Sequence, residues 1–206
     1  MPLPENTGDL TLESSDRVLA ICGALIGCGA YVLHGSNARP ALWRLEPRHA
    51  NDSGKRSGNY VAVYASVDVD AVLMHAVLDR EYLSRCLNSY TIGYRVSCGI
   101  RTFKVTDNLY RLFKQKDPQL CSDGYVYAMD KACFVRLPDS NSEFITVQSL
   151  APLRTLKVAA SLGAYLFRID TPEGNDTVIP YSLEEMRVID AHKARLERRQ
   201  QGTVAG

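Results

Sequence analysis

Tyr31-Val32-Leu33-His34-Gly35-Ser36 is an apolar run that ends abruptly in a polar tripeptide with glycine at its centre. Tyr, Val and Leu suit a pleated surface and Gly35 would weaken a helix, so the stretch reads as a buried strand. It delivers His34 and Ser36 to a strand end, where Gly35 allows the backbone to approach a ligand closely. Working backward, Ser15 can cap a helix starting near Asp16. Val18, Leu19, Cys22, Leu25 and Ile26 recur on one face of it, and Gly27 and Gly29 should end it.

Working forward, residues 37–59 lose all periodicity. Pro40, Pro47, Gly54, Gly58 and the Asn51-Asp52-Ser53 run mark a long loop, and loops of this length are usually functional or mobile. Arg44, Arg48, His49, Lys55 and Arg56 make it a local positive cluster, read either as a solvated loop or as a lid whose cations hold phosphates. Tyr60 to Ser66 reads as a second strand, after which Asp68 caps a helix through Ala71, Val72, His75, Ala76 and Leu78. A helical stretch over 81–87, strands over 90–98 and 102–105, and an amphipathic helix over 107–116 follow, closed by Pro118. Gly124 to Met129 is a further strand. The dense turn cluster Pro138 to Ser142 precedes a strand over 143–147 that opens on Glu143. The last core strand is expected over 155–160, residues 161–170 are ambiguous, and Ser182 with Glu185 forms a capping box for a charged helix over 183–201.

The chain has 206 residues, 46% of them hydrophobic and 23% charged, which suits one folded domain with a sizeable core. Its formal net charge of +1 gives no global electrostatic reason to expect nucleic acid as the main ligand. The six cysteines show no Cys-x-x-Cys pair or nearby histidine, so no metal site is expected and the thiols are read as reduced and mostly buried. The apolar run from Val18 to Leu33 is broken by glycines and falls short of the roughly 18 to 20 residues of a membrane span. The expected compartment is the cytoplasm, with no membrane partner.

His34-Gly35-Ser36 at one strand end, Tyr64-Ala65-Ser66 at a second followed by a helix, and Ser142-Glu143-Phe144-Ile145 opening a later strand resemble, in order and spacing, the ADP-ribosyltransferases of the His-Tyr-Glu class, the diphtheria-toxin and poly(ADP-ribose) polymerase lineage. The resemblance covers residues 33–158. It implies an α+β, ADP-ribosyltransferase-like fold: a mixed, mostly antiparallel two-sheet β core with flanking helices and a cleft for NAD, here a substrate. The expected organisation is one catalytic domain over 1–180 with a charged helix and tail over 181–206. The resemblance assigns His34 to the adenosine ribose, Gly35 and Ser36 to the nicotinamide amide, and Tyr64 to the face of the nicotinamide ring. Ser66 and Arg48 are expected as further cofactor contacts. His75 stands where family members place a second aromatic, and is a poorer platform.

Glu143 carries the chemistry in this reading. Cleaving the nicotinamide–ribose bond builds an oxocarbenium-like cation, which a fixed carboxylate stabilises while orienting the ribose 2′-hydroxyl. Taken without its neighbours, the same Glu reads as an edge-strand charge that discourages aggregation. Asn141 stands where arginine-directed transferases carry Glu or Gln, and the chain is short for a polymerase. Mono-ADP-ribosylation, or NAD glycohydrolysis with water as acceptor, is therefore the expected activity. The lineage implies a toxin or effector delivered to a target cell, with an unknown acceptor (protein, nucleic acid or small molecule) and room for a neutralising protein. The alternative is a catalytically inactive module of the same fold that binds a nucleotide or a protein.

Overall fold

The computed structural model describes residues 11–12, 15–38, 41–49, 60–97 and 100–203. The chain is an α+β protein that divides into two compact units. The first is built from 1–47, 62–86 and 118–166, the second from 48–61, 87–117 and 167–206.

In chain order the strands are β1 (Thr11–Leu12), β2 (Tyr31–Ser36), β3 (Arg48–His49), β4 (Val61–Ser66), β5 (Ile92–Ser97), β6 (Ile100–Val105), β7 (Gly124–Asp130), β8 (Val135–Arg136), β9 (Glu143–Thr146), β10 (Arg154–Val158) and β11 (Val178–Pro180). The helices are α1 (Ser15–Gly27), α2 (Val69–Val77), α3 (Arg80–Cys86), α4 (Asp107–Lys114), α5 (Leu162–Leu166) and α6 (Leu183–Thr203).

The first unit is organised by seven strands in the order β1-β10-β7-β2-β4-β9-β8, antiparallel throughout except for the β1 and β10 pair. Strand alternation sorts its side chains onto two faces, and directly paired residues share one. Val32, Val63, Ala65, Tyr127, Met129 and Phe144 form a buried cluster on one face, closed by Leu45 and Phe134, with Leu42 and Leu150 packed against it. On the other face α2 lies against β2 and β7. A Cβ at Gly35 would overlap the carbonyl oxygen of Val72 and sit 2.9 Å from the Ala76 nitrogen; one at Gly124 would sit 2.8 Å from the Ala76 carbonyl carbon. The two glycines are the floor on which one turn of α2 rests, so Gly35 has a packing duty the sequence did not disclose.

Local signals explain where the helices start. The Asp68 carboxylate accepts the N–H groups of Asp70 and Ala71 at 3.1 and 3.2 Å, as the sequence predicts. Asp79 opens α3 in the same way, accepting the N–H of Tyr82 at 2.8 Å.

The second unit holds a mixed three-strand sheet, β11-β6-β5, in which β11 runs parallel to β6 and β5 antiparallel to it. Phe103, Phe113 and Phe167 pack edge to face and tilted, with ring centroids 4.9 to 5.1 Å apart, and Leu109 of α4 is buried beside Phe113. At the start of α6, Ser182 and Glu185 make the reciprocal capping box expected of them: the Ser182 N–H donates to the Glu185 carboxylate (2.9 Å) and the Glu185 N–H to the Ser182 hydroxyl (3.2 Å). Glu185 also binds Lys104 of β6, which draws its carboxyl down to about 2.

Three expectations change. Cys22 is buried and Cys121 half-buried, but Cys28, Cys86 and Cys133 are exposed free thiols, because they sit at element ends rather than on inward faces. The strand expected over 155–160 is Arg154–Val158, and it is followed by α5 and then by a further strand, β11. The loop expected over 37–59 is interrupted: Leu45 bridges Leu150, and Arg48 and His49 form β3. Cys98, Lys55 and Arg56 lie outside the described residues. No described helix is long and apolar enough to cross a membrane.

Candidate functional site

The three strands that carry His34, Tyr64 and Glu143 are neighbours. β2 meets β4 at one paired row, Leu33 opposite Ser66, and Ser66 is in turn opposite Glu143 of β9. With strands roughly 5 Å apart, Glu143 lies about 10 Å across the sheet from Leu33. The pairing between β4 and β9 continues through Tyr64 and Ile145 to Val63 and Thr146, and that between β2 and β7 runs the full length of β2. Between β2 and β4 no further row pairs. We call the end of this pair on the side of His34 and Tyr64, where the ladder is not continued, the fork.

His34 spans this fork. Its Nδ1 lies 2.6 Å from the backbone carbonyl oxygen of Tyr64, on the neighbouring strand. A carbonyl only accepts, so Nδ1 carries the proton, and in the neutral ring Nε2 is the acceptor. The ring stands 6.2 Å from that of Tyr127, with which it is paired across β2 and β7. Tyr127 is fully buried, burial pushes its hydroxyl up from the ordinary phenol value, and the hydroxyl accepts the N–H of Leu42 at 2.8 Å.

Alternation divides the remaining residues. Tyr64, Ser66 and Glu143 share the face on which α2 packs, whereas the His34 and Ser36 positions belong to the face of the Tyr127 cluster. The His34 ring returns to the Tyr64 backbone, so the two sets meet at the fork rather than on a common face. Tyr64 and Glu143 are both half-buried. Glu143 sits where a turn hands over to the strand: its N–H donates to the Ser140 hydroxyl (3.1 Å) and its carbonyl accepts from Leu137 (3.0 Å).

Ser66 does structural work: its hydroxyl donates to the Ser142 carbonyl (3.1 Å) and accepts the Asp68 N–H (2.9 Å), tying the end of β4 to the segment entering β9. The hydroxyl of Ser36 accepts the N–H of Ala38 at 3.2 Å. His75, in the last turn of α2, engages the Arg80 guanidinium through Nδ1. Arg48 is exposed and belongs to the second unit. Among the described residues no three His, Cys, Asp or Glu side chains gather as a metal site.

Sequence reasoning missed Tyr127 and the segment around Leu42. Tyr127 lies in a strand that reads as plain core, and only its pairing with His34 links it to the site. Compared with protein-family models, with curated proteins and with solved structures, the chain matches none.

Proposed function

We propose that the fork between β2 and β4 binds NAD and that the protein is an ADP-ribosyltransferase-like enzyme, either a mono-ADP-ribosyltransferase or an NAD glycohydrolase. The observation that carries this reading is the hydrogen bond from His34 to the Tyr64 carbonyl where the β2–β4 ladder ends, with Glu143 one strand further on. It holds the His34 imidazole beside the Tyr64 backbone, and the family resemblance gives that imidazole the adenosine ribose.

In the reaction, the bond between ribose C1′ and the nicotinamide nitrogen breaks and its electron pair leaves with neutral nicotinamide. The Glu143 carboxylate stabilises the positive charge that develops on the ribose and orients the 2′-hydroxyl. Water or an acceptor group then bonds to C1′ and releases its proton to solvent. Tyr64 supplies an aromatic face for the cationic pyridinium ring. An acceptor of protein, nucleic-acid or small-molecule class is compatible with this chemistry, as is action as a toxin or effector.

The test is nicotinamide release from NAD by the wild-type protein and by Glu143→Gln, which keeps shape and removes charge. Loss of one transition-state electrostatic contact predicts a decrease of roughly 10²-fold or more. Equal turnover by both proteins would overturn the role of Glu143. Binding of NAD without any turnover would favour the inactive nucleotide-binding module.

A further inference from the structure

Glu143 is the first residue of β9, and its place there depends on a group in the turn before it. Arg136 is paired with Phe144 where β8 and β9 meet, and one step further the Leu137 N–H donates to the Glu143 carbonyl at 3.0 Å. In an antiparallel ladder such a pair exchanges two bonds. Here the second is routed through Ser140: the Glu143 N–H donates to the Ser140 hydroxyl oxygen at 3.1 Å, and the Ser140 N–H donates to the Leu137 carbonyl at 3.2 Å. The same hydroxyl oxygen accepts the Ser142 N–H at 3.3 Å. Its two lone pairs therefore hold both N–H groups of the chain leading into Glu143.

The rest of the turn is anchored independently. Leu137 is buried, and the Ser142 carbonyl accepts the Ser66 hydroxyl of β4 at 3.1 Å and the Val67 N–H just past that strand at 2.9 Å. With these points fixed, loss of the Ser140 hydroxyl releases the Glu143 N–H and loosens the start of its strand without detaching the turn.

We propose that Ser140 is the positioning residue for the Glu143 carboxylate, an assignment that rests on the reading of Glu143 as the group that stabilises the developing ribose cation. Stabilisation of that kind depends on where the charge is held, and a misplacement of about 1 Å costs on the order of 10²-fold in rate. Ser140→Ala removes the acceptor and should lower kcat for nicotinamide release roughly 10- to 100-fold while changing KM for NAD less than about 3-fold, because the bond-breaking step is affected and not the contacts that bind the dinucleotide. Ser140→Thr keeps the hydroxyl and should retain most of the rate.

Nicotinamide release is measured on wild type, Ser140→Ala, Ser140→Thr, Glu143→Gln and the double variant that joins Ser140→Ala to Glu143→Gln, with urea unfolding to check each fold. A residue that works through the Glu143 carboxylate has little left to lose once that carboxylate is gone. Adding Ser140→Ala to Glu143→Gln should therefore cost less than about 3-fold, whereas a merely structural role costs the same in both backgrounds. If Ser140→Ala does not hold its fold, Ser140→Cys, which keeps the shape with a weaker acceptor, reads the same loss at smaller size. Undiminished turnover by Ser140→Ala, or an equal loss in both backgrounds, overturns the role of Ser140 and leaves that of Glu143 standing. No nicotinamide release by wild type, or equal release by Glu143→Gln, overturns the two together.

Discussion

Replacing Gly35 by alanine adds one methyl group where the backbone of α2 already sits. The new Cβ would overlap the Val72 carbonyl oxygen and approach the Val72 carbonyl carbon and the Ala76 nitrogen to 2.9 Å, closer than real Cβ contacts allow. These neighbours are main-chain atoms of a helix, so no rotamer change relieves the clash. Either α2 lifts from the sheet or β2 shifts. Lifting uncovers Val72, Leu73, Met74, Ala76 and Val77, all buried, and α2 is also seated on Gly124. Overpacking costs about 1–3 kcal/mol where side chains can adjust; here they cannot, and a loss of about 3 kcal/mol is expected, a decrease of roughly 6–12 °C in melting temperature for a chain of this size. The control is Gly23→Ala in α1, where a Cβ meets nothing within 4 Å. Alanine in that helix interior should stabilise by about 0.5–1 kcal/mol. Urea unfolding of both variants beside wild type reads the comparison. A Gly35→Ala protein within about 1 kcal/mol of wild type would refute the argument that α2 rests on this glycine.

The Glu185 carboxyl, drawn down to about 2 mainly by its bond to Lys104, contributes stability above the ordinary carboxylate range that is lost as pH falls through it toward 2. The stability difference between wild type and Lys104→Met should therefore shrink from about pH 5 downward, and a gap unchanged between pH 7 and pH 3 in urea titrations would contradict the pairing. Burial raises Cys22 to about 12, and burial with the nearby Asp79 charge raises Cys121 to about 12 as well. At pH 8 a maleimide should label Cys28, Cys86 and Cys133 in the native protein but Cys22 and Cys121 only after unfolding; peptide mapping that finds Cys22 modified before unfolding would show that α1 does not stay packed.

Sequence alone was enough wherever a few adjacent residues hold the physics. The Asp68 cap, the Ser182 and Glu185 box, the helix breakers Gly27 and Gly29 and the strands through His34, Tyr64 and Glu143 are local events, settled by side chains within about four residues of the groups they satisfy. Strands of two residues, such as β1 and β8, are too short to show a period, and β11 carries a proline, so they form only because a neighbouring strand accepts them. The two meanings of Gly35 could not be separated in one dimension either: a glycine beside a ligand and a glycine beneath a helix look alike until Val72 and Ala76 arrive from some forty residues away. The fork was likewise invisible. Whether β2 and β4 stay paired past Leu33 depends on register and twist between distant segments, and that choice brings the His34 ring to the Tyr64 carbonyl.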